Sequence, residues 1–483
     1  MHRTVDVVVL GAGPAGENVA DYASRHGLDV VVVERELVGG ECSYWACMPS
    51  KALLRPSEVL AAARRVPAAA GAVTGEVDVA ATLRSRDAFA SNWDDSSQVD
   101  WLDSVGVELV RGHGRLVGER AVDVGHDDGT TTSLTATVGV VVATGTSAAM
   151  PPIDGLDEVG AWDNRDITTV EDVPARLVVL GGGVVGVEMA QAMARLGSSV
   201  TIVELEKRLV GGEEAAAGAA LRAALEADGI TVLTGVRAAS VRRDDDGDVV
   251  VELAEPGDDL DAGSGAEPDR DGRPTEVRGD ELLVAVGRRA NTDDIGLDAV
   301  GVETERGFIE VDGHLRVPGH DWLSAVGDVN GRALLTHQGK YQARLVGDRL
   351  GGKVVDEAWA DDRAVPRVVF TDPQIAAVGM TEEQAREAGL DVLVVEHDTG
   401  HVAGGSLQGK DAGGPARLVI DASRDVVVGA TFVGAGVADL LHGATIAIVG
   451  EVPIARLWHA VPPFPTVSEV WLRLLEATRG DAD

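Results

Sequence analysis

Two cysteines, Cys42 and Cys47, are the residues of this chain whose type and spacing best suit chemistry. They are the only cysteines among 483 residues, and both lie in the short run Gly39–Lys51. Only a small ring closes if their sulfurs bond, so the loss of loop entropy is small. The sulfurs can meet if the segment is near helical. Such a pair in an intracellular protein is more often redox-active than structural, the alternative being two buried apolar thiols.

The sequence before this pair has the pattern of a dinucleotide-binding unit. A β-branched strand, Thr4–Leu10, leads into GAGPAG at residues 11–16, a helix to about His26, and a strand, Asp29–Val33, that ends at Glu34. Glycines in such a turn allow a pyrophosphate to approach the backbone, and the helix N-terminus attracts its charge. The acid accepts hydrogen bonds from a ribose diol. The predicted glycine contacts are Gly11, Gly13 and Gly16.

The same unit recurs in the middle of the chain. A strand, Arg176–Leu180, precedes GGGVVG at residues 181–186, and a second strand, Val200–Val203, ends at Glu204. The first glycine and the acid are 23 residues apart in both copies. We therefore predict two nucleotide sites in two domains of like design. The glycines of the second turn are Gly181, Gly183 and Gly186.

Other strands also end in glycine, where ligands of open α/β sheets bind. Val138–Ala143 leads into Thr144 and Gly145, and Leu282–Val286 leads into Gly287. A further strand from Leu323 runs into Gly327 and Asp328. An ordinary strand end is the alternative interpretation of each.

Composition excludes several classes of protein. The chain has 79 acidic and 42 basic residues, which gives a net charge of −37. Such a charge disfavours nucleic acid and anionic membrane surfaces as partners. No apolar run has the length of a membrane span, and the first residues do not resemble a signal peptide, so we expect a cytoplasmic protein. We single out no set of metal ligands.

The pattern predicts an α/β fold in three domains. Residues 1–150 and 288–362 form the first, discontinuous nucleotide domain, residues 151–287 the second, and residues 363–483 an α+β domain. Gly257–Pro274 is predicted to be a polar surface loop and Ala358–Ala364 a linker.

The run GGECSYWACMPSK at residues 39–51 resembles the redox-active helix of the class I pyridine nucleotide–disulfide oxidoreductases, which include dihydrolipoamide dehydrogenase, glutathione reductase and mercuric reductase. The resemblance covers nearly the whole chain, including ATG at 143–145, GD at 327–328, VFTDP at 369–373 and FPTVSE at 464–469. It implies two Rossmann-like domains for FAD and NAD(P)H, a C-terminal dimerisation domain, and a homodimer in which the partner's C-terminal segment completes each active site.

The resemblance also implies roles for individual residues. Cys47 would face the flavin and Cys42 would attack the substrate, while Lys51 and Glu188 would form an ion pair beside the flavin. A cation there stabilises the reduced ring and lowers the pKa of a nearby thiol. The implied FAD contacts are Gly11, Gly13, Gly16, Glu34, Lys51, Gly114, Thr144, Gly145 and Asp328. The implied NAD(P)H contacts are Gly181, Gly183, Gly186, Glu204 and Gly287.

Two details bear on the reductant and on proton transfer. Glu204 suits a ribose 2′-hydroxyl and repels a 2′-phosphate, which favours NADH over NADPH. Disulfide-reducing members of the family carry a histidine general acid–base where this chain has Phe464, and a glutamate that orients it, here Glu469. Thr466 to Glu469 also fits a capping box, which is the interpretation we favour. His459 is a weaker substitute for the base.

The sequence leaves the electron acceptor open. Tyr44 and Trp45 lie between the cysteines, and with Phe464 they would line an apolar mouth suited to a quinone or a bulky disulfide; the alternative is that they pack the redox segment. The small-molecule acceptor is therefore a disulfide or a small organic oxidant. The alternatives are dihydrolipoamide dehydrogenase of a 2-oxo acid dehydrogenase complex, a quinone reductase in which the thiols are secondary, and a redox sensor of low turnover.

Overall fold

The computed structural model describes residues 2–254 and 274–480. These residues divide into two compact units, each made of three chain segments. The first unit comprises Met1–Pro49, Asp87–Ser147 and Arg288–Val365, and the second comprises Ser50–Arg86, Ala148–Gly287 and Pro366–Asp483. The loop predicted at Gly257–Pro274 lies outside the described residues except for Pro274. The division into three domains stays a prediction.

The first unit is built on a sheet of seven described strands. Their order across the path is Glu108–Arg111, Val30–Glu34, His2–Leu10, Thr131–Val142, Ala121–Gly125 and His113–Gly118, with Leu323–Ala325 beside the long fourth strand. The parallel strands are rich in valine and have both faces buried, as sheets covered by helices on each side require. A separate hairpin joins Thr304–Glu305 to Phe308–Ile309.

Helices flank this sheet. Those of the first unit are Pro14–Ser24, Gly40–Tyr44, Ser96–Ser104, Thr336–Leu350 and Ala360–Arg363, with 3-10 turns at Ser91–Trp93, Asp298–Val300 and Gly327–Asn330. The helix Pro14–Ser24 packs on Thr336–Leu350, and small residues such as Ala20, Ala23 and Ala343 make that packing close.

The second unit contains three further sheets among its described residues. A parallel sheet has the order Thr231–Thr234, Ser199–Glu204, Arg176–Leu180 and Glu281–Val284. An antiparallel sheet joins Arg237–Arg243, Val249–Ala254 and Glu276–Gly279. A five-stranded antiparallel sheet has the order Pro366–Val369, Gln374–Gly379, Val426–Gly434, Pro415–Asp421 and Val392–Asp398. The short strands Thr146–Ala148 and Arg288–Ala290 complete the described strands.

The helices of the second unit cover these sheets. They are Asn164–Thr169, Val184–Arg195, Ala215–Ala227, Glu382–Glu387, Ala403–Ser406, Val437–Val449, Ile454–Leu457 and Val470–Thr478, with 3-10 turns at Leu156–Glu158, Thr399–His401 and Val467–Glu469. The helices between residues 47 and 89 are Cys47–Arg65, Pro67–Ala70 and Val79–Phe89. No helix among the described residues is long and apolar enough to cross a membrane.

The segment predicted to be a linker, Ala358–Ala364, contains the short helix Ala360–Arg363 and lies directly before the boundary between the two units at Val365. Its role as a linker stays a prediction. Asp361 in this turn is buried, and the side-chain amides of Gln338 and Gln342 donate to its carboxylate at 2.6 and 2.9 Å. A buried carboxylate is stable only with such partners, so these contacts fix the segment. They join residues about 20 positions apart in sequence, which local composition does not reveal.

Candidate active site and nucleotide sites

The first glycine turn brings a helix directly onto the end of a strand. Gly11 has φ of +99°, in the region that favours glycine, and follows the strand His2–Leu10. A Cβ on Gly16 would lie 1.9 Å from the Gly11 carbonyl oxygen, so no larger residue fits there without moving the helix. The N-terminus of Pro14–Ser24 is thereby held against the strand end. Close packing of helix on strand is typical of a turn with this glycine spacing.

Glu34 ends the neighbouring strand, and its carboxylate hydrogen-bonds to the backbone of the glycine turn. Its Oε2 accepts from the backbone N–H of Ala12 at 2.7 Å, and its Oε1 accepts from the backbone N–H of Glu36 at 2.7 Å. Each carboxylate oxygen has two acceptor positions, so both retain capacity for a ribose hydroxyl.

A cleft of about 200 Å³ opens beside this turn. Gly11, Glu34, Gly114 and Thr144, all predicted FAD contacts, line it. A Cβ on Gly114 would lie 2.7 Å from the Leu10 side chain, so a larger residue at this position would force Leu10 to shift. The remaining lining residues were not predicted: Leu10, Val33, Arg35, Gly112, His113, Ser147, Arg289, Asn291, Asp293 and Ile295. The cleft, the glycine turn and the carboxylate together fit the ribose and pyrophosphate of a dinucleotide such as FAD.

Polar contacts order the other strand ends of the first unit. The Asn291 side-chain amide donates to the Thr144 carbonyl at 2.9 Å, and the Thr144 hydroxyl donates to the Asn291 carbonyl at 2.7 Å. Asp328 accepts from the Thr146 hydroxyl at 2.8 Å, and burial raises the pKa of its carboxyl, against the effect of that hydrogen bond. Gly145, with φ of +67°, lies between these contacts in sequence.

The second glycine turn repeats the first in detail. Gly181 has φ of +107°, and a Cβ on Gly186 would again lie 1.9 Å from the carbonyl oxygen of the first glycine. The backbone N–H of Gly182 donates to Glu204, whose other oxygen accepts from the N–H of Glu206 at 2.6 Å. Gly183 and Gly287 have open space where a Cβ would lie. The structure therefore places the predicted repeat on equivalent backbone positions in both units.

The two cysteines lie close together, on two helices and not on one. Gly40–Tyr44 carries Cys42, the chain leaves helical geometry at Trp45, and a new helix begins at Cys47. Pro49 falls in the first turn of the second helix, where proline is tolerated. The cysteines therefore come close together although the segment that joins them is not one continuous helix.

Both cysteines are present as thiols within hydrogen-bonding reach of each other. The hydrogen bond with Cys47, followed by burial, raises the pKa of Cys42 strongly, while Thr336 and Lys340 oppose that rise. The Cys47 Sγ is 3.4 Å from the Thr336 hydroxyl oxygen. Thr336, which the sequence did not point to, is thus part of the thiol site.

Tyr44 packs the redox segment and does not line an open mouth. Its side chain is fully buried, its hydroxyl donates to the Val38 carbonyl at 3.0 Å, and its ring contacts Trp45 at 5.6 Å between centroids. Burial raises the pKa of Tyr44 to about 12. Of the two interpretations of this aromatic pair, packing holds for Tyr44.

Lys51 and Glu188 form the predicted ion pair within the second unit. Lys51 Nζ is 2.6 Å from Glu188 Oε2, and Oε1 accepts from the backbone N–H of Phe370 at 2.9 Å. The Lys51 ammonium also lies 5.0 Å from the centre of the Phe370 ring. Glu188 is only 2 % exposed, so both of its oxygens have partners where water is excluded.

In the C-terminal segment Phe464 is exposed and Glu469 is buried. Phe464 is 75 % exposed, and His459 is exposed beyond the helix Ile454–Leu457. The predicted capping box is wrong: the Thr466 hydroxyl donates to Pro463, and Glu469 instead accepts from the backbone N–H of Ala403 at 3.2 Å and pairs with Arg473 at 3.0 Å.

Comparison with known proteins agrees with this architecture. Residues 5–343 match the model of the pyridine nucleotide-disulphide oxidoreductases, and residues 365–474 match the dimerisation domain of the same enzymes. The chain belongs to the pyridine nucleotide-disulphide oxidoreductase family. It is accordingly a flavin-dependent NAD(P)H oxidoreductase, from a family that binds FAD and uses pyridine nucleotides. The predicted family, fold class and enzyme class are confirmed.

Relatives named for different activities match nearly the whole length of this chain. A dihydrolipoyl dehydrogenase of Chlorobaculum tepidum is 36 % identical over 472 residues, covering 96 % of this chain and 95 % of its own. A mercuric reductase of Streptomyces lividans is 32 % identical, covering 97 % and 95 %. The structure of LpdA from Mycobacterium tuberculosis superposes with a TM-score of 0.83 at 25 % identity, covering 98 % and 100 %. The dimerisation domain supports a homodimeric oxidoreductase.

The oxidoreductase also buries a carboxyl that the sequence did not point to. Glu17 lies on the helix that follows the first glycine turn, and its Oε1 is buried without a hydrogen-bond partner among the described residues. Burial raises the pKa of Glu17 to about 7; the Lys340 ammonium lowers it and the Glu34 charge raises it. Its sequence signal is weak, since an acid in a first helical turn is common.

Removing the Glu188 carboxylate should destabilise the oxidoreductase. Glu188→Ala leaves the Phe370 N–H and Lys51 without their partner, and we expect the free energy of unfolding to fall by about 2–3 kcal/mol in urea titrations. Glu188→Gln keeps an acceptor for the backbone N–H of Phe370, so its free energy of unfolding should fall clearly less. Equal losses in the two variants would contradict this account of the pair.

Replacing Glu17 should stabilise the protein at high pH only. Because the folded pKa is above the unfolded one, stability falls as pH rises from about 4.5 to about 7 and stays low above that. At pH 8 Glu17→Gln should therefore raise the free energy of unfolding by about 3 kcal/mol, and at pH 4.5 by little. Glu119 is exposed, so the control Glu119→Gln should leave the free energy of unfolding unchanged at both pH values.

Proposed function

We propose that this oxidoreductase transfers reducing equivalents from NADH, through FAD, to the Cys42–Cys47 pair and on to a disulfide or a small organic acceptor. The carrying observation is the thiol pair itself: the chain has two cysteines, and they lie within hydrogen-bonding reach of each other. Two nucleotide turns of like geometry support the use of two dinucleotides. The proposal also includes a homodimer that acts on a small-molecule acceptor.

Bound FAD would supply two kinds of chemistry: it can accept a hydride, and it can pass an electron pair to a neighbouring disulfide. The first unit would hold it by the strand ends already described. The glycine turn would receive the pyrophosphate at the helix N-terminus, and Glu34 would accept from a ribose diol. The residues we assign to this role are Gly11, Gly13, Gly16, Glu34, Lys51, Gly114, Thr144, Gly145 and Asp328.

The thiol pair would carry the electrons onward by disulfide exchange. Two electrons and one proton cleave the Cys42–Cys47 disulfide into one thiol and one thiolate. The Cys42 sulfur, once deprotonated, attacks an acceptor disulfide, forms a mixed disulfide and expels one thiolate. Cys47 then attacks the Cys42 sulfur, expels the second thiolate and restores the intramolecular disulfide. With a quinone as acceptor, two electrons and two protons are transferred and no bond to sulfur forms.

The C-terminal segment supports an acceptor that needs little acid catalysis. Phe464 has no ionisable group, and Glu469 is already bound to Arg473 and a backbone N–H. Loss of a general base lowers rates about 10²–10⁴-fold, which disfavours dihydrolipoamide. The name of the Chlorobaculum tepidum relative favours the opposite alternative, dihydrolipoamide dehydrogenase.

NADH is the reductant we favour. Glu204 ends the second strand of the second unit and would accept from a ribose 2′-hydroxyl but repel a 2′-phosphate. Two nearby cations, Lys207 and Arg208, could offset this repulsion; of these, Arg208 donates to the Gly211 carbonyl of its own loop at 2.7 Å.

An acceptor screen tests the role of the cysteines. NADH oxidation is measured with lipoamide, glutathione disulfide, other small disulfides, quinones and ferricyanide, for the wild type and Cys42→Ser. We expect disulfide reduction to fall at least about 100-fold in Cys42→Ser, because the attacking thiol is gone. Equal disulfide turnover would contradict the proposal, and no acceptor with appreciable turnover would favour a redox sensor.

The same screen includes Phe464→His as a second arm. If the missing base limits disulfide exchange, lipoamide turnover should rise about 10-fold or more. Rapid lipoamide turnover by the wild type would instead identify a dihydrolipoamide dehydrogenase.

The nucleotide preference is tested by kcat/KM. We expect a value at least about tenfold higher with NADH than with NADPH, and a narrowing of that ratio in Glu204→Gln, which removes the repelling charge. A tenfold preference for NADPH in the wild type would overturn the assignment.

A further inference from the structure

Thr336 contacts the thiol pair from the opposite element. It is the first residue of the helix Thr336–Leu350, and its hydroxyl oxygen is 3.4 Å from Cys47 Sγ. The same hydroxyl lowers the pKa of Cys42, which lies within hydrogen-bonding reach of Cys47. The hydroxyl therefore contacts one sulfur of the pair directly and acts on both thiols.

We propose that Thr336 is a positioning residue that donates its hydroxyl proton to whichever of the two sulfurs bears the negative charge. This inference rests on the proposed function, because it assigns the thiolate of the reduced pair a partner within the chain.

The chemistry of the groups supports this assignment. A hydroxyl has one proton to donate, and a thiolate accepts it more strongly than a thiol does. During exchange the charge passes from one sulfur to the other, so a donor that can rotate between them serves each in turn. The hydroxyl torsion is the only coordinate that has to change.

The surroundings of the pair add charge of the right sign. Lys340 lies one turn along the same helix and lowers the pKa of Cys42, and the N-terminal end of this 15-residue helix carries a partial positive charge. Lys340 also lowers the pKa of Glu17, on the helix Pro14–Ser24. Lys340 acts on the site through space, whereas Thr336 contacts the Cys47 sulfur directly.

The small number of cysteines makes the test direct. In Cys42→Ser the only thiol of the chain is Cys47, and in Cys47→Ser it is Cys42. Each background is combined with Thr336→Val, which keeps the shape of threonine but removes its hydroxyl, or with the control Thr336→Ser, which keeps the hydroxyl. The thiol pKa of the FAD-loaded protein is obtained from the pH dependence of its alkylation rate by iodoacetamide, followed by mass spectrometry.

We expect Thr336→Val to raise the thiol pKa by about one unit in each background, a tenfold loss of thiolate below the pKa, and Thr336→Ser to leave it within about 0.3 units. Equal pKa values in the valine and serine variants would overturn the proposal. A rise for Cys47 alone would overturn the sharing of the hydroxyl between two sulfurs. The measurement needs neither NADH nor an acceptor, so a failed acceptor screen and a failed Thr336 assignment are distinguishable.

Discussion

The packing of a helix onto the carbonyl at a strand end is the constraint on which both proposed nucleotide sites depend. In each unit the third glycine of the turn lies so close to the first that a side chain has no room. That contact fixes where the helix begins, and so where its N–H groups point. The carboxylate at the end of the next strand then holds the middle of the turn by a backbone N–H. Without the glycine contact, neither the helix end nor the carboxylate would meet a ligand.

The features that the sequence predicts well are those set by local backbone rules. The strand Arg176–Leu180 has the predicted bounds, and Glu34 and Glu204 each end a strand, because glycine spacing and β-branched runs restrict the chain within a few residues. The repeat was visible because both copies obey the same restriction. Such signals involve only a short stretch of chain and need no knowledge of distant partners.

The features that escaped prediction depend on partners far away in sequence. The turn at Asp361 exists because two glutamines of another helix reach its carboxylate. Glu469 does not form the expected capping box; its carboxylate accepts instead from the backbone N–H of Ala403 and from the Arg473 side chain. Thr336 reaches Cys47 across 289 positions of sequence. No residue pattern near these positions distinguishes them from ordinary turns, caps and helix starts, so only the fold reveals them.

In the proposed function Glu34 and Glu204 would each serve two purposes, and this would limit how the family can diversify. The carboxylate that would select a ribose hydroxyl is also the acceptor for a backbone N–H of the glycine turn. A lineage that replaced Glu204 to accept a phosphorylated coenzyme would leave the Gly182 N–H without its acceptor. A second substitution or an ordered water would have to restore that acceptor. Changes of coenzyme in this architecture should therefore evolve in pairs of substitutions, with the first step carrying a penalty in the turn.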